Sequence, residues 1–258
     1  MTEGEWLASD DPLTLLQAIE PQISYRKGRL YLCAGCRRIS HLLYHPYSRA
    51  AIDTIERFAD GIASCAEVWE PDPEVPTFSY WLDGTWVDSW GIQADGSRKE
   101  VTLPEDLPAG VRGLLEMGLL SDNDVIERRF AIEPASRERL ISAAELAYIA
   151  ALRTDFEYRR VAHHIRAVDW PGVWLVRDIF GNPFRLPTIA PDWLSRNNGA
   201  IPKLAQMIYD DRRHDIMPIL GDALEDAGCT DAQILEHCRG PGPHVRGCWV
   251  VDLILGKE

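Results

Sequence analysis

The sequence predicts a mainly α-helical protein, a single helical domain carrying a small antiparallel β-hairpin or meander insertion. Two observations carry the helical part. Apolar residues recur at three- and four-residue spacing in stretch after stretch, and those stretches begin at Ser, Thr or Asp and stop at Gly or Pro. A third observation carries the insertion. Thr77–Leu82 and Thr85–Trp90 are aromatic, β-prone runs flanking Asp83-Gly84, a dipeptide suited to a tight turn with positive φ at both residues. The expected organisation is therefore an N-terminal helical part over 1–69, a β-rich insertion over 70–110, and a C-terminal helical part over 111–258 packing with the first.

Each element has a local reason. Thr2 is placed to cap Glu5-Trp6-Leu7, and Asp10 or Asp11 precedes Pro12, a favoured first helical residue. Arg26 to Leu43 reads as a helix with Leu32, Cys33, Cys36, Ile39 and Leu43 on one stripe, and His45-Pro46 breaks it. Ser48 opens the next helix through Ile52, Ile55 and Phe58. Pro71, Pro73 and Pro76 then interrupt helix, and a second Asp-Gly at Asp95-Gly96 precedes a candidate third strand over Arg98–Leu103. Helical signals resume at Val111–Leu120 and again from Ser136, with Leu140, Ala144, Ala147 and Ala151 on one face. Trp174–Phe180 is a short apolar helix stopped by Gly181-Asn182-Pro183, and Pro202–Tyr209 is another.

The densest pattern is at the end. Ile216, Ile219, Leu220, Ala223 and Leu224 share a helical face, Gly228 ends it, and Thr230 or Asp231 caps a short helix holding Ile234 and Leu235. Gly240-Pro241-Gly242-Pro243 forbids continuation. From Val245 the chain is apolar through Leu255; period alone does not separate buried helix from buried strand here, and Gly256-Lys257 favours a helix end.

Composition bounds function. With 27 basic against 40 acidic residues, the net charge of −13 disfavours a general nucleic-acid surface. Apolar runs stop short of the ~20 residues that span a bilayer. Acidic Glu3 and Glu5 after Met1 do not read as a signal peptide, and six cysteines without secretory features read as reduced thiols or a metal site. The expected location is the cytoplasm.

Familiar catalytic motifs are missing: no nucleophile elbow, phosphate loop or zinc-protease helix is found. Cys33-Ala-Gly-Cys36 has redox or zinc spacing, yet on a helix both thiols fall beside Leu32, Ile39 and Leu43, which suits core packing. One constellation has metal-like spacing: Cys229, Cys238, His244 and Cys248, in which the Gly-Pro loop would fold the last two ligands back onto the first two. Zinc is the ion such a set would take; packing without any cofactor is the alternative. Tyr80, Trp81, Trp86 and Trp90 are candidate interaction residues, since aromatic side chains are enriched at interfaces, although a small sheet also needs them to cover its one face.

Several longer strings carry a resemblance. Glu5-Trp6-Leu7, Cys36-Arg37-Arg38-Ile39, Arg177-Asp-Ile-Phe-Gly-Asn-Pro-Phe-Arg185, Asp222-Ala-Leu-Glu-Asp-Ala-Gly-Cys229 and the stretch from His237-Cys238-Arg239 to Glu258 resemble a group of planctomycete proteins with no established activity. The resemblance covers both ends of the chain, skips residues 70 to 110, and implies a mostly helical intracellular family with no catalytic residues to carry over. The function expected is a non-enzymatic module that binds a protein partner. An enzyme with scattered active-site residues is one alternative, with His163, His164, His237 and His244 to be inspected first. A zinc-stabilised nucleic-acid-associated protein, using Arg37, Arg38, Arg159, Arg160, Arg212 and Arg213, is the other.

Overall fold

The first turn of the chain follows directly from its sequence. Thr2 and Glu5 form a reciprocal capping box, the Thr2 hydroxyl accepting from the Glu5 amide while the Glu5 carboxylate accepts from the Thr2 amide, and α1 (Glu3–Ala8) follows. Asp11 caps α2 (Pro12–Ile19) through the amides of Leu13 and Thr14, with Pro12 at the first helical position. The computed structural model describes residues 1–40, 46–64, 79–82, 85–88, 161–162, 165–166, 168 and 170–257. Within these, α3 is Tyr25–Arg38, α4 Pro46–Ala59, α5 Val173–Phe180, α6 Pro191–Asp211, α7 Met217–Asp226, α8 Ala232–Arg239 and α9 Trp249–Leu255.

The chain divides into two compact units, one formed by Met1–Ala34 with Pro171–Glu258 and the other by Gly35–Trp170. In the second unit, Arg37 binds both oxygens of the buried Glu56, at 2.8 and 2.9 Å, and also pairs with Asp53. Ile39, Ile52 and Ile55 are buried there. The first unit has a core of Ile208, Tyr209, Leu220, Leu224, Cys238 and Val250 among others, drawn from α6 to α9. No helix among the described residues is long and apolar enough to cross a membrane.

The fold class needs a correction. The protein is mainly helical, and a β-rich insertion over 70–110 is not seen: extended pairing among the described residues amounts to two four-residue segments, Ser79–Leu82 against Thr85–Asp88, in register Leu82 with Thr85. Among the described residues no third strand joins these two segments, and a two-stranded ladder by itself is marginal in water. Tyr80 stands opposite Val87, and Trp81 opposite Trp86, in that ladder. Asp83-Gly84, Trp90 and the candidate strand over Arg98–Leu103 lie outside the described residues, as do the helices expected at 111–120 and from Ser136 to 160, and His163-His164.

Smaller differences have local causes. α6 is not one continuous rod: Asn197, Asn198 and Gly199 all have positive φ, so the chain breaks and restarts before Pro202. Asn tolerates the left-handed region better than most residues, which explains why the break falls there. On α7 the buried face is Met217, Leu220, Gly221 and Leu224, whereas Ile219 is 54 % exposed. Gly221 is required by packing: a Cβ there would lie 2.9 Å from the Cβ of Cys238 on α8. The C-terminal apolar run resolves as helix, burying Val250, Val251 and Ile254.

A charged anchor holds this last helix. Asp252, 1 % exposed, accepts two bonds from Arg26 at 2.7 and 3.0 Å and pairs with Lys27 at 2.6 Å. Arg26 also donates to the Tyr209 hydroxyl, and Lys27 to the carbonyls of Ile179 and Gly247. Such a buried carboxylate is tolerable because each of its oxygens is paired with a cation, Oδ2 with two.

Two outcomes follow. Deleting residues 245–258 removes Asp252 and three buried aliphatic side chains, each worth roughly 1.5–3 kcal/mol against a net stability of about 5–15 kcal/mol. The truncated chain is expected to be aggregated or to lose its sharp thermal transition by circular dichroism. Cys33 and Cys36, both fully buried, are expected to resist a thiol reagent until denaturant is added. Burial pushes the Cys36 thiol up to about 12, far from the reactive thiolate.

Candidate functional site

The site begins with a carboxylate in the wrong place for a helix of the core. α5 buries Leu175, Val176 and Ile179, and Asp178 lies among them, 4 % exposed. Its neighbour Arg177 turns the other way and donates to the carbonyls of Trp6, Leu7 and Ser9, which fastens the N-terminal segment to α5. Gly181 ends α5 with φ +67, its amide returning to the Arg177 carbonyl.

Three further elements converge on Asp178. Asp231 caps α8 through the amides of Gln233 and Ile234, and the helix carries His237 in its last turn. The Gly240–Pro243 segment, with a cis Gly242-Pro243 peptide, then turns the chain back to His244. Cys248 is the residue before α9. The distances define a tight group. Asp178 Oδ1 lies 2.6 Å from His244 Nδ1 and 3.2 Å from His237 Nε2, and Oδ2 accepts from the Val245 amide at 2.9 Å. His237 Nε2 is also 3.1 Å from Cys248 Sγ, which is 4.0 Å from His244 Nδ1. One oxygen, two nitrogens and one sulfur thus lie within 4.8 Å of one another.

The surroundings are dry and aromatic. Cys248 is fully buried, and the His237 and His244 side chains are only 18 % and 7 % exposed. The His237 ring packs edge-on against His244 at 4.8 Å and tilts against Trp249 at 5.1 Å between centroids. Nε2 of His244 is buried without a hydrogen-bond partner.

Electrostatics follow from this packing. Burial pushes the Asp178 carboxyl up, but hydrogen bonds and charge from His237 and His244 outweigh it and hold the group below its ordinary value. Burial and the Asp178 charge push the Cys248 thiol well above its usual range, opposed by the amides of Val251 and Val250 at the start of α9. Burial likewise lowers nearby His214, with Asp178 acting in the opposite sense.

The arrangement does not suit nucleophilic catalysis. A thiol–imidazole–carboxylate relay uses the two different nitrogens of one ring, one facing the nucleophile and the other the orienting acid. Here Nε2 of His237 faces both Cys248 and Asp178.

Of the four ligands expected from sequence, His244 and Cys248 enter this group. Cys229 and Cys238 lie in the apolar core of the first unit instead, at 1 % and 0 % exposure. Burial raises both thiols, Cys238 to about 12. His237 and Asp178 take their places. His237 precedes Cys238 on α8, so the two side chains point about 100° apart, and only one could face the group. The signal for Asp178 was present: a lone carboxylate inside the apolar stripe of Trp174–Phe180. Comparison with protein families, curated proteins and solved structures returned no match to this chain.

Gly181 sets the geometry of this corner, since a Cβ there would come within 3.1 Å of the Trp249 ring and the backbone is left-handed. Gly181, with φ +67 and ψ −151, occupies a region that essentially only glycine adopts, so Gly181→Ala is expected to cost about 1–3 kcal/mol from the backbone conformation alone. Thermal melting of the variant, alongside its near-ultraviolet circular dichroism, reads both the loss and the displacement of Trp249.

Proposed function

We propose that the protein is a non-enzymatic binding module that takes an apolar, acidic segment of a partner protein. The observation that carries this reading is an open cleft of about 470 Å³ in the first unit. Its walls include Ile19, Ile23, Ile179, Phe180, Trp249 and Leu253, and it has no histidine or cysteine in its lining. Its one carboxylate, Asp252, is already engaged by Arg26 and Lys27. Lys27 in its lining is likewise taken up by Asp252 and by the carbonyls of Ile179 and Gly247.

The rim supplies the chemistry of recognition. Leu186 is 86 % exposed at the cleft edge, with Phe184 at 45 % on the same loop. Exposed aliphatic and aromatic side chains next to an apolar cleft are the usual mark of an interaction surface. Lys27, Arg185 and Lys257 line the cleft; Lys27 is taken up by Asp252, while Arg185 holds Glu3 at 2.6 Å in an exposed pair that an acidic occupant can displace. This local balance is opposite to the chain's net charge of −13, which disfavours a nucleic-acid partner.

The test is fluorescence anisotropy with a labelled synthetic peptide of Leu, Phe and Asp, set beside a counterpart in which Lys replaces Asp. Saturable binding of the acidic peptide is expected, weakened by salt and by about tenfold, roughly 1.4 kcal/mol, in Leu186→Asp. No binding, equal binding of the Lys peptide, or affinity untouched by Leu186→Asp would each overturn the reading.

A further inference from the structure

We propose that Asp178, His237, His244 and Cys248 bind one zinc ion as a closed, four-coordinate structural centre. This inference goes beyond the cleft reading and stands or falls separately from it.

The first argument is convergence. Four donor atoms from α5, α8, the turn after it and the start of α9 point at one small volume, all within 4.8 Å of one another. A tetrahedral zinc with bonds of about 2.0–2.3 Å has donor–donor edges of roughly 3.3–3.7 Å. Four of the six separations, 2.6, 3.1, 3.2 and 4.0 Å, straddle that range, and none of the six exceeds 4.8 Å, so small side-chain adjustments would close the shell. Hydrogen bonding alone explains the group poorly. His237 Nε2 carries at most one proton, yet it faces a carboxylate oxygen and a thiol sulfur at once. A cation placed among them satisfies nitrogen, oxygen and sulfur together.

The second argument is charge. One carboxylate and one thiolate with two neutral imidazoles carry a charge of −2, which a divalent ion cancels within the shell. A neutral assembly can be buried where an isolated anion cannot. Donor type then selects the metal class. Sulfur and imidazole nitrogen with one carboxylate suit zinc, and four protein ligands leave no open position for a reacting water. The site is thus structural, clamping α5 to the last forty residues.

The third argument is support around the ligands. Asp178 Oδ2 is fixed by the Val245 amide, and the His237 ring is held between His244 and Trp249. Ligands oriented by such outer contacts bind metal in a shape set before the ion arrives. Cys229 and Cys238 have no part in this shell, which separates it from the ligand set that spacing alone suggests.

The experiment measures metal in the full chain, purified without a metal-affinity tag or chelator, by plasma mass spectrometry. Zinc at about one equivalent per chain is expected, and exchange into cobalt(II) is expected to give a thiolate charge-transfer band with the intense ligand-field bands of a four-coordinate ion. Cys248→Ser should abolish the charge-transfer band while Cys238→Ser and Cys229→Ser keep it. The nearly isosteric Asp178→Asn should weaken zinc binding more than about tenfold in chelator competition while keeping the helical circular dichroism. If Cys248→Ser does not fold, the cobalt spectrum of the unaltered chain and of Cys238→Ser still decides. Absence of zinc even after reconstitution, a cobalt spectrum without thiolate character, or a band lost with Cys238→Ser would overturn the assignment.

Discussion

One buried carboxylate organises the C-terminal half of this protein. Asp178 sits on the apolar face of α5, where an unpaired charge would cost several kcal/mol, so the chain must bring donors to it. It does so from three places at once: His237 at the end of α8, and His244 with the Val245 amide in the following turn. The path of residues 240 to 248 is therefore constrained at both ends. Cys248 is delivered to the same point, and α9 starts immediately after it.

A second carboxylate repeats the logic on the other side of α9. Asp252 is neutralised by Arg26 and Lys27, and Lys27 goes on to the carbonyls of Ile179 and Gly247. Asp178 and Asp252 thus pin the ends of one short span, with Trp249 between them. Trp249 touches His237 on the side of the four-donor group and lines the apolar cleft on the other. The four-donor group and the cleft are thus neighbours across this one ring.

The two proposals assign different roles to different places. In the four-donor group one nitrogen of His237 faces both a carboxylate and a thiol, which suits a shared cation better than a relay. The cleft is open and apolar, and Lys27 and Asp252 in its lining are engaged with one another.

Local rules made much of this legible in advance. The Thr2 capping box, the Asp11 and Asp231 caps, the Gly181 and Gly256 helix ends and the buried thiols of Cys33 and Cys36 depend on residues within a turn of one another, where side-chain chemistry is decisive. The aromatic run around Asp83-Gly84 shows the limit of such rules: turn chemistry can pair two short segments, but a β layer needs a partner surface that sequence spacing does not supply. The candidate site was half visible. His244 and Cys248 are four residues apart and declared themselves by spacing, whereas choosing His237 over Cys238 required knowing which way α8 is rotated against Gly221. Asp178, some sixty residues away, belongs to the group only because α5 packs where it does. Sequence by itself determined the caps and helix ends named above and the types of donor atom; tertiary structure decided which donors meet, because a ligand set is a matter of distance in space, and neither period nor propensity encodes that.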